Sequence, residues 1–310
     1  MSHMLSSFLS ACPGAVSQGI LWGVLALGIA ITFRILNYAD MTVDGSMCTG
    51  AAVSAVLLLK GVSPLTALFA AAAVGMLAGL LTGSLHTRLG IPVILSGILT
   101  QLGLYSINMR ILGRSNLPLL GVEGLLSLRD PYHAILVGSV FALAMVGLLS
   151  WFFTTEQGYG IRATGSNAGM ARAQGINTDS AIVLGLMISN GLVGLAGGLL
   201  AQYQGYADVN MGRGAIVIGL ASLVLGEAVP FLRSRFSLKL FASIVGAILY
   251  YLVITLVLQA GLNTNDLKLL SALVVTVALG LPALRQKQAA RRARSAALQK
   301  HAPEHKKETV

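Results

Sequence analysis

The sequence predicts an all-α polytopic membrane protein of about eight or nine transmembrane or broken helices, with an inverted internal repeat. Three observations point there. The 310 residues are 55% hydrophobic and only 10% charged, where a soluble domain carries about 25% charged residues. The mean hydropathy is +0.79, and apolar runs long enough to cross a hydrocarbon core recur along the chain. Finally, one polar stretch, NYADMTVDGS at 37–46, has a relative far downstream.

The chain divides into a short N-terminal segment, 1–15, a transmembrane domain, 16–284, and a basic tail, 285–310. The expected spans are 16–36, 46–60, 64–85, 91–112, 133–153, 180–203, 213–229, 238–258 and 267–284. The start of the chain lacks the Lys/Arg of a signal peptide, so the first run is expected to stay as a span. The runs 46–60 and 213–229 fall short of the roughly 20 residues of a full crossing, so they are tilted, broken or re-entrant. Abundant glycine (36 residues) lets helix backbones approach closely. Cys12 and Cys48 have no metal or redox spacing and read as packing residues.

Basic residues set the orientation. Arg162 and Arg172 in 154–179, Arg233 and Arg235 in 230–237, and His86 and Arg88 in 86–90 fall on one side if every segment from 64 onward crosses once. The tail, with eight Lys/Arg against Glu304 and Glu308, joins them. That side is the cytoplasm, which puts the C-terminus and 37–45 inside and the N-terminus outside. The net charge of +10 therefore reads as a membrane anchor and not as a nucleic-acid surface.

YADMTVDGS at 38–46 recurs as YADVNMGRG at 206–214, and the register of 168 continues without a gap: Ser54, Val56 and Leu57 match Ser222, Val224 and Leu225. The runs before them, GVLALG at 23–28 and GLVGLA at 191–196, match as well. The orientation places the copies at opposite faces, as in inverted-repeat transporters. Each copy reads as a joint that ends a long helix and starts a short one. Asp40, Asp44 and Ser46 are candidate caps for that new helix, or candidate pathway residues at a helix N-terminus able to face a substrate carboxylate.

The loop 154–179 carries a short helix of about two turns, roughly 10 Å long. Ser166 or Asn167 can cap its start, Gly175 its end, and AGMARAQ between them favours helix. Its Ala and Met side chains form an apolar knob beside Arg172, which either seeks a socket in a partner or rests on headgroups.

From Ile161 to Gly205 the chain resembles the coupling-loop region of permease subunits of bacterial ABC importers, the branch that includes branched-chain amino acid and ribose permeases. The residues that carry the resemblance are Arg162, Ala163, Gly165, Asn167, Ala171, Gly175, Ile176 and Asn177. The first joint, with Asn-Tyr-Ala-Asp and Thr-Val-Asp-Gly-Ser, is similar to the subgroup proposed to import tryptophan or tyrosine. The resemblance implies a protein of the bacterial inner membrane and a pathway between two permease subunits, expected as a homodimer. It also implies a solute-binding protein outside, and two ATP-binding subunits docked on Arg162, Gly165, Asn167, Ala171, Arg172, Gly175 and Ile176. ATP and Mg would be bound by those subunits, since this chain has no Gly-x-x-x-x-Gly-Lys-Ser/Thr cradle, no cofactor site of its own and neither catalytic nor metal-ligating residues.

Polar side chains inside spans need a reason. Gln101, Tyr105 and Asn108 form one helical stripe that either lines the pathway or bonds helix to helix. Gln202 and Tyr206 share a face if their helix continues that far, and either meet substrate or belong to an interfacial belt. Glu227 is expected to pair with Arg233 or Arg235, Ser189 and Asn190 to glue helices, and Trp22 to pack. Alternative functions are an ABC permease for a sugar or nucleoside, an ion-coupled secondary transporter, and a passive channel. The ion-coupled reading needs a titratable group at the midplane, for which Asp40 and Asp44 are the candidates.

Overall fold

The computed structural model describes residues 2–122, 124–229, 232 and 235–259 and seven positions between 269 and 280, with side chains from residue 7. The span expected over 267–284 falls largely outside the described residues, as do Arg233 and the tail.

Two long helices form the centre. Helix α1, Ser2–Ala30, continues as a π-helical stretch, Ile31–Leu36, that stops at Asn37 in the left-handed region (φ 59°). Helix α8, Thr178–Gln204, stops at Gly205 (φ 75°). The two run antiparallel: Ser17 Oγ lies 2.7 Å from Tyr203 Oη, Ser189 Oγ donates to Gly28 O at 2.7 Å, and Gly185 packs on Leu36. Both helices are buried on nearly every face, so hydrophobic periodicity is weak in them and small residues set the contacts.

The other helices repeat this relation with exchanged partners. Helix α3, Pro64–Leu89, packs along α8, and α10, Phe236–Gln259, along α1. A Cβ on Gly191 would come within 2.6 Å of Met76 Cγ, and one on Gly23 within 3.0 Å of Ile244 Cα. Gly23 and Gly191, and likewise Met76 and Ile244, are matched positions of the sequence repeat. Equivalent helices thus run in opposite directions, and the repeat is an inverted one.

The two short runs are half-helices. Helix α2, Val43–Leu59, spans about 25 Å and α9, Ala215–Glu227, about 20 Å. Helix α2 starts beside Asn190, halfway along α8, and follows α8 outward through Gly50 against Gly194 and Ser54 against Gly198. Helix α9 starts near the middle of α1 and runs the other way, with Gly219 against Leu25 and Ile29 and Glu227 beside Arg34. The expectation that 37–45 lies at one face is therefore corrected. Tyr38 stacks edge-on with His86 near the end of α3, but the chain then folds back so that Asp40 reaches the middle of the bundle. The hydrogen-bonding capacity of Asn190 and the close approach allowed by Gly50 hold it there.

Helix α4, Val93–Leu112, lies on α2, with Gln101 and Leu104 against Gly45. Helix α5, Pro131–Phe152, is capped by Asp130 and packs on α1 through Gly138 against Ile20 and Leu21. Two three-residue strands, β1 (Asn116–Pro118) and β2 (Tyr206–Asp208), form an antiparallel clasp with Leu117 opposite Ala207. The clasp marks one end of the molecule. Helices α6 (Glu156–Ser166) and α7 (Ala168–Ala173) mark the other, with Leu36 of the π-helical stretch beside them. The first described residues of α1 lie at the clasp end, opposite α6 and α7, as the charge count expects. Among the described residues, five segments are long and apolar enough to cross a membrane: Ser7–Leu36, Pro64–Leu89, Pro131–Phe152, Thr178–Gln204 and Phe236–Gln259. Leucines and aromatic residues exposed on α3, α4 and α5 suit a lipid-facing surface.

Candidate functional site: the two joints and the loop helices

The joints are built alike. Asp40 Oδ1 accepts the Thr42 N–H at 2.8 Å, and Asp208 Oδ1 accepts the Asn210 N–H at 2.7 Å, the same local turn in matched residues. Their surroundings differ. Asp40 is fully buried, and its second oxygen accepts from Asn190 Nδ2 at 2.7 Å. Ser46 Oγ donates to Asn190 Oδ1 at 2.6 Å. Alongside, Thr42, Thr82 and Thr100 form a chain of hydroxyls with links of 2.7 and 2.9 Å. An interhelical hydrogen bond contributes only about 0.6–2 kcal/mol. A polar group buried without a partner costs several. The network is therefore retained chiefly because breaking any one link is expensive.

Asp44 and Ser46 do not cap their own helix. Ser46 is fully buried on Asn190. The carboxylate of Asp44 reaches across to the other joint, accepting the Gly214 N–H at 3.0 Å and the Ile216 N–H at 3.1 Å. It caps α9, where the free N–H groups and the helix dipole both favour an anion. Cys48 Sγ accepts the Gly212 N–H at 3.1 Å, and Gly212 packs on the Asp44 carbonyl with no room for a Cβ. Asp44 and Gly212 are matched repeat positions, so the joints meet on the pseudo-twofold axis.

Beside this meeting point lies a cavity of about 280 Å³. Asp44, Gln101, Tyr105 and Asn108, proposed from the sequence, line it together with Cys48 and Arg213. Asn108 is 1% exposed, and its Oδ1 has no protein partner among the described residues. Tyr105 is 45% exposed. Sequence reasoning missed Arg213, although it is the one cation within YADVNMGRG. Asp40 and Ser46 lie apart from this cavity, inside the buried network. Gln202 and Tyr206 do not share a helical face, because α8 ends at Gln204. Gln202 is buried, accepts the Leu125 N–H at 2.9 Å and donates to Ser54 Oγ and Pro64 O, which fastens the clasp end of α8. Tyr206 sits in β2 opposite Pro118.

The loop 154–179 holds two helices where one was expected. Thr155 Oγ1 caps α6, and Asn167 Oδ1 caps α7 through the Met170 N–H at 3.0 Å. Helix α7 is six residues long and ends in the arrangement that a left-handed glycine allows: Gly175 has φ 84°, and the Ile176 N–H returns to Ala171 O at 3.0 Å. The knob divides, with Met170 59% exposed and Ala171 buried. Arg172 donates to Thr178 Oγ1 at 2.8 Å and lies 3.7 Å from Asp179. The guanidinium of Arg162 sits 5.0 Å from the Phe236 ring centroid and 5.6 Å from that of Tyr159.

Helix α6 is keyed to the bundle. Gly165 packs on the Ile35 carbonyl so closely that a Cβ would overlap it, and Ile161 is buried near Gly185. One residue before Ile35, Arg34 pairs with Glu227 at 2.6 Å. Of the partners expected for Glu227, Arg235 makes no ion pair with it among the described residues and Arg233 lies outside them; the pair with Arg34 forms because α9 ends alongside the π-helical stretch. Ser189 and Asn190 bond helices and Trp22 packs against Tyr251, as expected.

The chain matches, over residues 14–280, the family described as branched-chain amino acid transport system, permease component. It is 40% identical over 267 residues to the tyrosine transport system permease protein of Clostridioides difficile strain R20291, covering 86% of this chain and 90% of that one. It is 33% identical over 277 residues to an uncharacterised protein of Rickettsia prowazekii, covering 86% and 95%. With the protein of Methanocaldococcus jannaschii named "Probable branched-chain amino acid transport permease protein LivH" it shares 28% identity over 232 residues, 69% of this chain and 72% of that one. No solved structure matches it significantly. With the family matched over residues 14–280 and a relative 40% identical over 86% of the chain, the chain belongs to the branched-chain amino acid transport permease family.

Proposed function

We propose that this chain is the membrane-spanning subunit of an ATP-driven importer of an amino acid with an aromatic side chain. Two copies enclose the pathway, separate ATPase chains dock on α6 and α7, and a binding protein delivers the solute from outside. ATP and Mg belong to the docked chains, so this subunit performs no hydrolysis. The aromatic substrate is supported by the name of the relative at 40% identity. The inner-membrane setting is supported by the apolar spans, and a cytoplasmic C-terminus by the eight Lys/Arg of the tail's sequence.

The observation that carries the reading is the packing of Gly165 on Ile35. It joins the exposed peg, Met170 with α6 and α7, to the π-helical end of α1, and Arg34 passes that contact to α9 through Glu227. A push on the peg therefore reaches a central helix of one repeat and the half-helix of the other as movement of rigid elements. Copurification of the chain with its ATPase subunits tests this. Substrate-stimulated hydrolysis is expected to disappear in Gly165→Pro at unchanged membrane levels of the protein. Normal stimulation in that variant would refute docking on this loop.

A further inference from the structure

We infer that the cavity between the joints is an amino-acid site in the permease itself, in which Arg213 takes the ligand's α-carboxylate and Asp44, joined by the turned carboxamide of Asn108, takes its ammonium group. The inference rests on the importer reading and names the substrate chemistry of that pathway. Three observations carry it. First, the cavity holds one cation and one anion that do not neutralise each other. Both Asp44 oxygens are engaged by backbone N–H groups of α9, and Arg213 makes no ion pair among the described residues. Second, the carboxamide of Asn108 at the cavity wall makes no hydrogen bond to the described residues; its Oδ1 is closed off from the cavity as placed, and a half-turn of the amide, an orientation that no bond fixes, turns that oxygen towards the cavity. Native proteins rarely leave such atoms unless something else satisfies them. Third, Leu102, Val209 and the half-exposed ring of Tyr105 give the wall an apolar and aromatic surface for a side chain, with Gln101 beside them.

Charge arithmetic selects the class of ligand. A sugar or nucleoside would leave Arg213 without an anion. A simple amine would face Arg213, and a simple carboxylate would face Asp44, each a like-charge contact. An α-amino acid answers both charges at once. A planar guanidinium reads a carboxylate in a two-pronged geometry that lysine does not reproduce. The volume of about 280 Å³ sits at the small end of ligand sites, which suits a single amino acid.

The test uses the permease–ATPase complex in lipid nanodiscs without the binding protein, so that only the permease can discriminate. Labelled L-tyrosine is expected to bind saturably. Tyramine, which lacks the carboxylate, and 3-(4-hydroxyphenyl)propionate, which lacks the amine, should each compete about tenfold more weakly or worse. In Arg213→Met, tyrosine should lose its advantage over tyramine, while tyramine should bind as well as before or better because its like-charge contact is gone, and that retained binding also shows that the variant is folded. Arg213→Lys should recover part of the difference. Equal competition by tyrosine and tyramine, a preference for tyrosine that survives in Arg213→Met, or no saturable binding in a complex that still transports tyrosine would each overturn the inference and leave the importer reading intact. Failure of the complete complex, with its binding protein, to take up any amino acid would overturn the importer reading, and the inference with it.

Discussion

Asp44, in the first turn of α2, accepts the Gly214 N–H at the start of α9 with 3.0 Å between the atoms, so one repeat supplies the cap of the other repeat's half-helix. The two half-helices are thereby fixed to each other and not only to their own long helices. Removing the acceptor in Asp44→Ala should lower stability by about 0.5–2 kcal/mol, the range for a lost helix cap. Asp44→Asn keeps one acceptor and should lose clearly less. Thermal unfolding of the purified protein in detergent checks the order; an alanine variant as stable as the asparagine one would remove the cap from the account.

Asp40 gives a contrasting case. Its two oxygens serve the Thr42 N–H and Asn190 Nδ2, and both roles need acceptors more than charge. In Asp40→Asn, rotation of the Asn190 amide and a donor from it to Ser46 Oγ can rebuild the network, so transport should stay within about twofold of wild type. Asp40→Ala leaves two buried donors unmatched, the Thr42 N–H and an Asn190 Nδ2 hydrogen, and should cost about 1–3 kcal/mol of stability for each. Loss of transport in the asparagine variant at normal expression would revive the ion-coupled reading, which needs a charge at this depth.

At the loop end, Met170 is exposed and makes no contribution to the core. Met170→Ser should therefore change stability by less than about 0.5 kcal/mol. ATPase stimulation should nonetheless fall in the assembled complex. Ala171→Leu differs because Ala171 is buried, and overpacking there should cost about 1–3 kcal/mol as well as stimulation. Hydrolysis assays paired with unfolding curves separate the two effects.

The pair Arg34–Glu227 lies half exposed, so its contribution to stability is small, about 0–1 kcal/mol. Its importance lies in linking α1 to α9. Arg34→Glu should reduce coupled transport with little change in melting temperature, and the exchange Arg34→Glu with Glu227→Arg should restore part of it. A charge exchange no better than either single variant would break the proposed link from α6 to α9.

The half-helices and most span boundaries were legible in sequence for a simple reason: apolar length reports crossing, and 46–60 and 213–229 are too short, although α1 begins at Ser2 and not at 16. The repeat was visible because Tyr-Ala-Asp recurs in register. Contacts between distant segments were not visible. Asp44 reads locally as a cap for its own helix, and only the antiparallel docking of the repeats brings Gly214 to it. Glu227 reads as a partner for nearby arginines, and its pair with Arg34 shows only once α9 is known to end beside that residue. Helix α6 was hidden because Gly158, Gly160 and Gly165 favour loop by propensity, whereas in the folded chain Gly158 and Gly165 are what lets the helix sit against Phe152 and Ile35. The clasp strands are three residues each, too short for alternation to register.

The most direct test of the whole account is uptake of labelled L-tyrosine into proteoliposomes that contain this chain, its ATPase subunits and the binding protein. Uptake should require ATP hydrolysis and every one of the three components, and should ignore imposed proton or sodium gradients. Accumulation driven by an ion gradient in the absence of the ATPase would contradict the account.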